Sequence, residues 1–507
     1  MRFLKILSLL LILFSLSCNN AATNPGESSG GGGGGSGGYP PPSIKFPDGA
    51  SVEEKAKLAA TLAPSEKQLN WQKMELTAFI HYGMNTFTDR GWGTGTETPS
   101  QFTPTKVDVN QWVSTLKEAG FKIIILTVKH HDGFCLWHTE TTKHSVQYSP
   151  YQKDIAKEFA DACRAQGMKV GFYLSPWDMN AESYGKGQAY NDFFCQQLTE
   201  LLTKYGPVDE MWFDGAKDEK YGKVQEYDFT RWMDLINELQ PNCITANLGL
   251  DARWAGNEGG YARDSEWSPV GFKPDAYGDK GYNEKYGLTA EDADLGSRDV
   301  LRKVPEVFWF PAEVDVSIRT PTAPASDSIY DQWFFHEGKQ SVKTMQEIMN
   351  IYYKSVGRNA NLLLNFPVNK EGVIPTEDAA RIKEFKQYLD NNLTTGFLKD
   401  QDTSWIGADN GQSKEYALTS SKQINVLIIQ EDISKGQRVE KFSIEYNNNG
   451  NWQAVTLSDI SKATGTIGYK RIIKFSNITT DKIRITINQT RLPANISSVN
   501  VYYSPTY

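Results

Sequence analysis

The sequence lacks the patterns of several large protein classes. Only five of its 507 residues are cysteines, and none forms a CxxC pair or a cysteine and histidine set of the kind that binds zinc. No run of basic residues interrupts a formal charge of −8, which argues against a nucleic-acid partner. No GxGxxG sequence follows the first predicted strand, so a dinucleotide-binding fold is not indicated.

Aromatic residues, in contrast, are abundant: they make up 12% of the chain and include 13 tryptophans. A tryptophan is unfavourable on a surface unless a core or a ligand covers its flat apolar face, and sugar rings are ligands of that kind. Four cysteines beyond the N-terminal region are predicted to be mostly buried thiols, with a disulfide as the alternative. They are Cys135, Cys163, Cys195 and Cys243.

Residues 1–18 have the features of a lipoprotein signal peptide. An apolar run from Ile6 to Leu16 follows two basic residues and is too short to span a bilayer. The run ends in a cleavage box at Cys18, which predicts that Cys18 becomes a lipidated N-terminus; an ordinary cleaved signal is the alternative. Residues 19–50, rich in Gly, Ser and Pro, are predicted to form a flexible tether. We therefore expect an exported bacterial protein, in the periplasm or on the outer cell surface, that touches the membrane only through Cys18.

Residues 51–392 alternate apolar runs with amphipathic helical patterns, for example at 109–120, 153–167 and 228–240. Seven apolar runs predict strands: LTAFIHYG, KIIILTVKHH, KVGFYLSPW, VDEMWFDG, CITANLG, AEVDVS and ANLLLNFP. Buried strands that alternate with helices favour an α/β fold, a closed (β/α) barrel of the TIM type. Residues 393–507 instead show short alternating strands separated by Asn, Gly and Lys, which predicts an all-β sandwich domain.

Nearly every predicted strand ends in a polar residue, and in such a barrel the carboxyl ends of the strands surround the active site. These residues are His81, His130, His131, Tyr173, Ser175, Trp177, Asp214, Asn247, Glu313 and Asn365. A buried polar side chain without a partner costs about 1–3 kcal/mol, so a shared polar ligand explains the set better than packing does. A sugar, with its ring of hydroxyl groups, fits this requirement.

A metal ion held by His81, one of the adjacent histidines and Asp214 is the alternative ligand. HxH and HExxH spacings are absent, however, and adjacent histidines on a strand point in different directions. We therefore predict neither a metal nor a cofactor.

Sugar hydrolysis requires two carboxyl groups. Asp214, in WFDGA, precedes Gly215, which lets the backbone turn and leaves the carboxylate pointing inward; a helix cap is the alternative role. The loop ARWAGNEGGYARDSEW supplies three candidates for the second group: Glu258, Asp264 and Glu266. Glu258 lies among glycines, where a chain can bend into a cleft, but the residues alone do not choose between Glu258 and Glu266.

The chain closely resembles the α-L-fucosidases of glycoside hydrolase family 29 from about Thr77 to Asn391. The matching motifs are FIHYGMNTFTDR, GWGTGTETPSQFTPTKVDVNQWV, LTVKHHDGFCLWHT, GFYLSPWD, WFDGA and RWAGNEGG. They look most like the subgroup that removes α-1,3- and α-1,4-linked fucose from branched, Lewis-type glycans. The C-terminal part resembles the galactose-binding-like sandwich often attached to these barrels.

The resemblance implies that Asp214 is the nucleophile of a retaining double displacement and that Glu258 is the acid/base. It also implies that fucose is held by His81, Trp92, His130, His131, Tyr173 and Trp212. The expected partners are fucosylated oligosaccharides or glycoconjugates. The alternative is a non-catalytic surface glycan-binding lipoprotein, which would not need both Asp214 and Glu258.

One loop around the expected pocket departs from the subgroup's pattern, and another is a candidate for a neighbouring subsite. Gly91 stands before Trp92, where the subgroup often has glutamate, so a hydroxyl contact from this loop depends on Glu97. Trp333 and His336 are candidates for a subsite that binds the neighbouring sugar, with core packing as the alternative for the tryptophan.

Overall fold

The computed structural model of the chain describes residues 39–217, 222–278, 281–322, 331–458 and 464–506. The predicted signal peptide, Cys18 and most of the predicted tether lie outside the described residues. Among the helices in the described ranges, none combines the length and the apolar character needed to cross a membrane. The four remaining cysteines are buried free thiols, as predicted.

Within the described residues, eight parallel strands form a nearly closed barrel. In chain order they are β1 (Leu76–Ile80), β2 (Ile123–Lys129), β3 (Lys169–Leu174), β4 (Glu210–Phe213), β5 (Ile244–Asn247), β6 (Arg253–Trp254), β7 (Ala312–Ser317) and β8 (Asn361–Asn365). Strands adjacent in sequence pair with one another, and β8 pairs with β1. Between β5 and β6 the described residues form a single bridge, from Ala246 of β5 to Ala252, the residue before β6. The TIM-like barrel is therefore confirmed.

The barrel strands are apolar on both faces because each face meets a different layer. In β2, Ile123 and Ile125 point into the barrel, where they join a cluster that includes Trp212. Ile124 and Leu126 point outward into the cluster formed with the surrounding helices. Alternation of side chains along the strand thus turns a continuous apolar run into two packed interfaces.

Helices cross between the strands, and three of them lie where the apolar spacing predicts them: Val109–Glu118, Ile155–Ala165 and Phe229–Leu239. Each of the three begins after an aspartate whose carboxylate accepts a backbone N–H of the first turn. The other helices are Val52–Ala59, Glu66–Gln72, Met84–Thr88, Gln188–Lys204, Tyr282–Lys285, Arg298–Lys303, Met345–Lys354 and Thr376–Asn392.

Two features of the barrel region were not predicted. Strand β6 has only two residues, one of them charged, so no apolar run indicates it. The second feature shortens the predicted tether: Ser43–Lys45 forms a strand paired with Glu306–Trp309, which in turn pairs with Pro269–Val270. Phe46 is buried beside this small sheet, which explains why the last part of the tether segment is ordered.

Residues 405–502 contain the all-β unit, whose strands form an antiparallel sheet. The strands are Trp405–Ala408, Ser413–Glu431, Val439–Asn448, Asn451–Ala454, Arg471–Thr490 and Ala494–Tyr502. Register shifts interrupt the pairing of the two longest strands, and the unit has an aliphatic core of its own. The helix Thr376–Asn392 ends where this domain is predicted to begin.

Gln437 joins the all-β unit to a loop that follows β6. Its Nε2 donates to the backbone oxygen of Glu266 at 3.0 Å, and its Oε1 accepts from the backbone N–H of Ser268 at 2.8 Å. The side chain is completely buried. The all-β unit therefore holds the far end of the segment that also carries Glu258.

Candidate active site

A pocket of about 330 Å³ opens where the carboxyl ends of the barrel strands converge. It is lined by Phe79, His81, Trp92, His130, His131, Tyr173, Trp212, Asp214, Gly215, Ala216, Asn247, Trp254, Glu258, Asp315 and Trp333. All eight residues predicted as catalytic or substrate-binding are in this lining, although they are spread over almost 180 positions of the chain. The fold therefore brings the whole predicted set together.

Asp214 follows β4 directly and turns into the pocket. Its Oδ2 accepts a hydrogen bond from the Tyr173 hydroxyl at 2.9 Å, and its Oδ1 accepts from the backbone N–H of Ala216 at 2.7 Å. The next described helix begins at Phe229, so Asp214 is not a helix cap. Its side chain is 25% exposed, which leaves one face of the carboxylate open to a ligand.

Tyr173 is fixed as a hydrogen-bond donor to Asp214. Burial and the charge of Asp214 raise the pKa of its phenol well above the ordinary value, so the hydroxyl keeps its proton. Its ring is stacked between Trp212, with centroids 5.4 Å apart, and His130, with centroids 5.6 Å apart. The donor to the carboxylate is therefore rigidly placed.

His130 and His131 both reach the pocket, contrary to the expectation for neighbours on a strand. Strand β2 ends at Lys129, and the chain then turns, with the N–H of Gly133 donating to the His130 carbonyl. The two imidazole rings lie 4.0 Å apart between centroids. The turn therefore removes the alternation on which the expectation rested.

Hydrogen bonds behind two of the histidines determine which ring nitrogen faces the pocket as an acceptor. The Ser175 hydroxyl donates to the Trp177 carbonyl, so it accepts from Nδ1–H of His131 at 2.7 Å. The Asn365 amide donates to Ser317 and Trp333, so its oxygen accepts from Nδ1–H of His81 at 2.8 Å. In both rings Nε2 is left as an acceptor for a ligand hydroxyl.

Desolvation lowers the pKa of all three histidines, to about 4 for His81, so that they are neutral near pH 7. A neutral His131 places its Nε2 at 3.9 Å from Oδ2 of Asp214, with an acceptor on each side of the gap. A ligand that donates hydrogen bonds into this gap would satisfy both atoms.

A divalent cation is another ligand that these groups could hold. Ligand atoms of His130, His131 and Asp214 lie within 4.8 Å of one another, and two imidazoles with a carboxylate are zinc ligands in other proteins. His81, which the metal alternative included, is not part of this cluster. A cation here would use the same atoms as a sugar hydroxyl and would compete with it.

Glu258 lies at the rim of the pocket, on the loop that follows β6. The residue as a whole is exposed, but desolvation of its carboxyl and the charge of Asp214 raise its pKa. Gln332 donates to its Oε2 at 3.4 Å. A raised pKa favours the protonated carboxyl, which is the form required of a general acid.

The other two candidates for the second carboxyl face elsewhere. Glu266 is 1% exposed and forms ion pairs with Arg253 and Arg263, which lower its pKa despite burial. Asp264 pairs with Arg358 at 2.7 Å. Neither lines the pocket, so Glu258 is the one of the three that faces Asp214.

Comparison with known proteins agrees with this geometry. The family model for α-L-fucosidase matches residues 53–287 and 316–394, more than half of the chain. The chain belongs to the α-L-fucosidases of glycoside hydrolase family 29. This fucosidase is 36% identical to α-L-fucosidase 1 of Arabidopsis thaliana over 477 residues, which cover 87% of each chain. A model of the F5/8 type C domain, a galactose-binding-like sandwich, matches residues 381–500.

Solved structures give the same result for the fucosidase. A Bacteroides ovatus protein described as an α-L-fucosidase is 45% identical, with a TM-score of 0.86, over 92% of this chain and 78% of that chain. A family 29 fucosidase from Ruminococcus gnavus, solved in complex with fucose, is 31% identical, with a TM-score of 0.72, over 87% of this chain and 95% of that chain.

The loops around the fucosidase pocket differ in what they contribute. Trp92 packs edge-on against His131, with centroids 5.7 Å apart, whereas Glu97 is outside the lining and accepts from the N–H of Thr94. Glu97 therefore supplies no side chain to the lining in place of Gly91. Trp333 lines the pocket beside His81, but His336 is fully buried outside the lining.

Four of the predicted strand-end residues are outside the lining: Ser175, Trp177 and Asn365 lie behind the pocket histidines, whereas Glu313 lies lower in the barrel and its neighbour was missed. Glu313 is the second residue of β7, so it lies below the pocket, where its Oε2 accepts from the indole N–H of Trp212 at 3.0 Å. Asp315, two residues further along the same face, lines the pocket, as does Trp254 of β6. The alternation in AEVDVS could have indicated Asp315, whereas nothing in the sequence indicated the two-residue strand that carries Trp254.

Proposed function

We propose that this fucosidase is a retaining exo-enzyme that removes terminal α-1,3- or α-1,4-linked L-fucose from branched, Lewis-type glycans. The observation that carries the proposal is that Asp214 and Glu258 line one pocket while interacting electrostatically with each other. A volume of about 330 Å³ is at the small end for ligand pockets, which suits one terminal sugar rather than an internal stretch of glycan.

In the first step, Asp214 attacks the anomeric carbon while Glu258 gives its proton to the leaving oxygen. The hydrogen bonds from Tyr173 and from the N–H of Ala216 hold the attacking carboxylate in one orientation. The product of this step is a fucosyl ester of Asp214. We expect the two carboxyl groups to lie about 5–5.5 Å apart with substrate bound, as retention requires.

In the second step, Glu258 acts as a base toward water. Ester formation removes the negative charge of Asp214, which after desolvation is the largest cause that raises the pKa of Glu258. The pKa of Glu258 therefore falls, and its carboxylate can accept a proton from the water that attacks the anomeric carbon. Fucose leaves with its original configuration, and no cofactor takes part in either step.

The neutral histidines and the aromatic rings account for sugar binding. Bare Nε2 atoms of His81 and His131 accept hydrogen bonds from sugar hydroxyl groups. The rings of Phe79, Trp212 and Trp333 supply an apolar wall for the 6-deoxy methyl group that distinguishes fucose from galactose.

A panel of fucosides that differ in linkage tests the proposal. We expect fucose release from Lewis trisaccharides with α-1,3 or α-1,4 bonds and much slower release from α-1,2- and α-1,6-linked fucosides. Equal or faster release from the last two would contradict the linkage assignment. Fucose binding without turnover of any substrate, aryl fucosides included, would instead support the non-catalytic alternative.

The lipid anchor is a separate proposal, supported by the apolar leader that ends at Cys18 and by the Gly-rich segment after it. The full chain, expressed in a bacterium that processes lipoproteins, should fractionate with membranes and carry label from radioactive palmitate. Cys18→Ser should lose the label and appear in the soluble fraction. Unchanged fractionation and labelling of this variant would contradict the anchor.

A further inference from the structure

We infer that Asp315 is a further substrate-binding residue of this pocket, which donates a hydrogen bond to an oxygen of the bound sugar. The inference rests on the proposed function, because the ligand is the terminal fucose. It differs from the roles of Asp214 and Glu258, since Asp315 would act as a neutral donor and take no part in bond breaking.

The position of Asp315 leaves one of its two carboxyl oxygens for a ligand. It is the fourth residue of β7, it lines the pocket, and it is 4% exposed. Its Oδ1 accepts from the indole N–H of Trp254 at 2.8 Å. Apart from its own backbone N–H, no group of the described residues is recorded as donating to the other oxygen, Oδ2.

Glu313, on the same face of β7, provides an internal comparison. Both of its oxygens have polar neighbours in the barrel: Oε2 accepts from Trp212 at 3.0 Å, and Oε1 lies 3.3 Å from the Thr77 hydroxyl, which itself donates to the Leu362 carbonyl at 3.0 Å. Glu313 is thus satisfied by the barrel interior alone. Asp315 has the same type of indole donor on one oxygen, but its second oxygen has no partner from another described residue, and the side chain lines the pocket.

The surroundings of Asp315 favour the protonated acid. No lysine or arginine of the described residues forms an ion pair with it, and the titratable groups that act on it are Glu258, from the loop after β6, and Glu313, from its own strand. Burial and these two carboxyls raise its pKa well above the usual value. A buried carboxylate without a cation is strongly unfavourable, so the group keeps its proton near pH 7.

Two different carboxyl groups therefore face the sugar from the barrel strands. Asp214 receives two hydrogen bonds from other residues and stays an acceptor and nucleophile, whereas Asp315 receives one from another residue and offers an O–H. A third ionised group in the same cavity would repel Asp214 and the ionised form of Glu258. A neutral donor adds a contact to the sugar without that repulsion.

This reasoning predicts that an amide can replace Asp315, because an amide keeps a donor of similar size and cannot ionise. The test compares Asp315→Asn and Asp315→Leu by calorimetric titration with L-fucose and by kcat/KM on 4-nitrophenyl α-L-fucoside from pH 5 to pH 9. We expect Asn to stay within about threefold of the wild type at pH 6, and Leu to bind fucose about 10- to 100-fold more weakly.

The pH dependence separates a donor from a structural role. Ionisation of Asp315 at alkaline pH removes its O–H, so wild-type fucose affinity should fall there. The fall should be absent in Asp315→Asn and should persist in the control Glu313→Gln, which changes the neighbouring carboxyl that does not line the pocket. This comparison tests the donor role even if Asp315→Leu does not fold. A thermal unfolding measurement shows whether Asp315→Leu is folded.

An Asn variant as weak as Leu, or a Leu variant as tight as the wild type, would overturn the inference. So would an alkaline fall that is the same in wild type and Asp315→Asn. In these cases fucose still binds and is turned over by the wild type, and only the role of Asp315 fails. Absence of both fucose binding and turnover in the wild type would instead contradict the proposed function itself.

Discussion

The hydroxyl of Tyr173 donates a hydrogen bond to the carboxylate of Asp214, with 2.9 Å between Oη and Oδ2. Tyr173 lies on β3 and Asp214 directly follows β4, and these two strands pair in the ladder through Tyr173 and Trp212. The register of the barrel therefore sets the orientation of the proposed nucleophile. A phenol that keeps its proton can stabilise the carboxylate by a hydrogen bond, and this bond can weaken when the carboxylate loses its charge in the ester.

Replacing Tyr173 with Phe should lower kcat/KM on an aryl fucoside by about 10- to 100-fold, because a hydrogen bond to a charged group contributes about 1.5–3 kcal/mol. Tyr205→Phe is a matched control: Tyr205 donates to the carboxylate of Asp154 at 2.8 Å, and neither residue lines the pocket. This control should keep its activity. Full activity of Tyr173→Phe would show that the bond to Asp214 does not assist the reaction.

The activity should fall on the alkaline side as Glu258 loses its proton. Burial and the charge of Asp214 raise its pKa from 4.5, so the protonated, active form persists to higher pH than an ordinary glutamate would allow. In Glu258→Gln, assayed on a fucoside with a good leaving group, this alkaline limb of kcat/KM should disappear. If the variant keeps an alkaline limb at the same pH, the limb reports the titration of a group other than Glu258.

The variants Glu258→Ala and Glu266→Ala should differ both in stability and in rescue by azide. Loss of Glu266 leaves Arg253 buried without its counterion, which should lower the free energy of unfolding by about 3–5 kcal/mol in urea titrations. Glu258→Ala should be nearly as stable as the wild type, and azide should restore its turnover of an aryl fucoside. Azide rescue of Glu266→Ala, with normal stability, would mean that Glu266 is the acid/base.

Gln437→Ala should lower the free energy of unfolding by about 1–3 kcal/mol, since the N–H of Ser268 and the carbonyl of Glu266 each lose a buried partner. Gln423→Ala serves as the control, because Gln423 is exposed on a strand of the same domain and should change stability by less than about 0.5 kcal/mol. Equal effects in the two variants would show that the contact between the domains does not contribute.

The parts of the fold that the sequence predicts well are those governed by local patterns. The isoleucines of β2 and the three helices with clear apolar spacing belong to this class, and so does Asp214, whose position after an apolar run places it at a strand end. Strand β6 was not predicted because its pairing depends on residues of β7 that lie 59 positions further along the chain, rather than on its own two residues.

The identity of the second catalytic carboxyl could not be predicted from the residues alone. Glu258 and Glu266 lie in one polar loop, and only tertiary contacts distinguish them: two arginines enclose Glu266, and the pocket receives Glu258. Glu313 and Asp315 differ in a similar way, since both point inward and only the depth of each along β7 decides which one a ligand can reach. Such depth is set by strand register, which requires the assembled barrel.

The central claim is that Asp214 attacks the anomeric carbon, and Asp214→Ala in the presence of azide tests it most directly. Without azide, this variant should lose at least about 10³-fold in kcat on an aryl α-L-fucoside. With azide, turnover should return and nuclear magnetic resonance should identify β-L-fucosyl azide, because the anion attacks from the face that Asp214 vacates. Substantial activity without azide, or the α-azide as product, would contradict the claim.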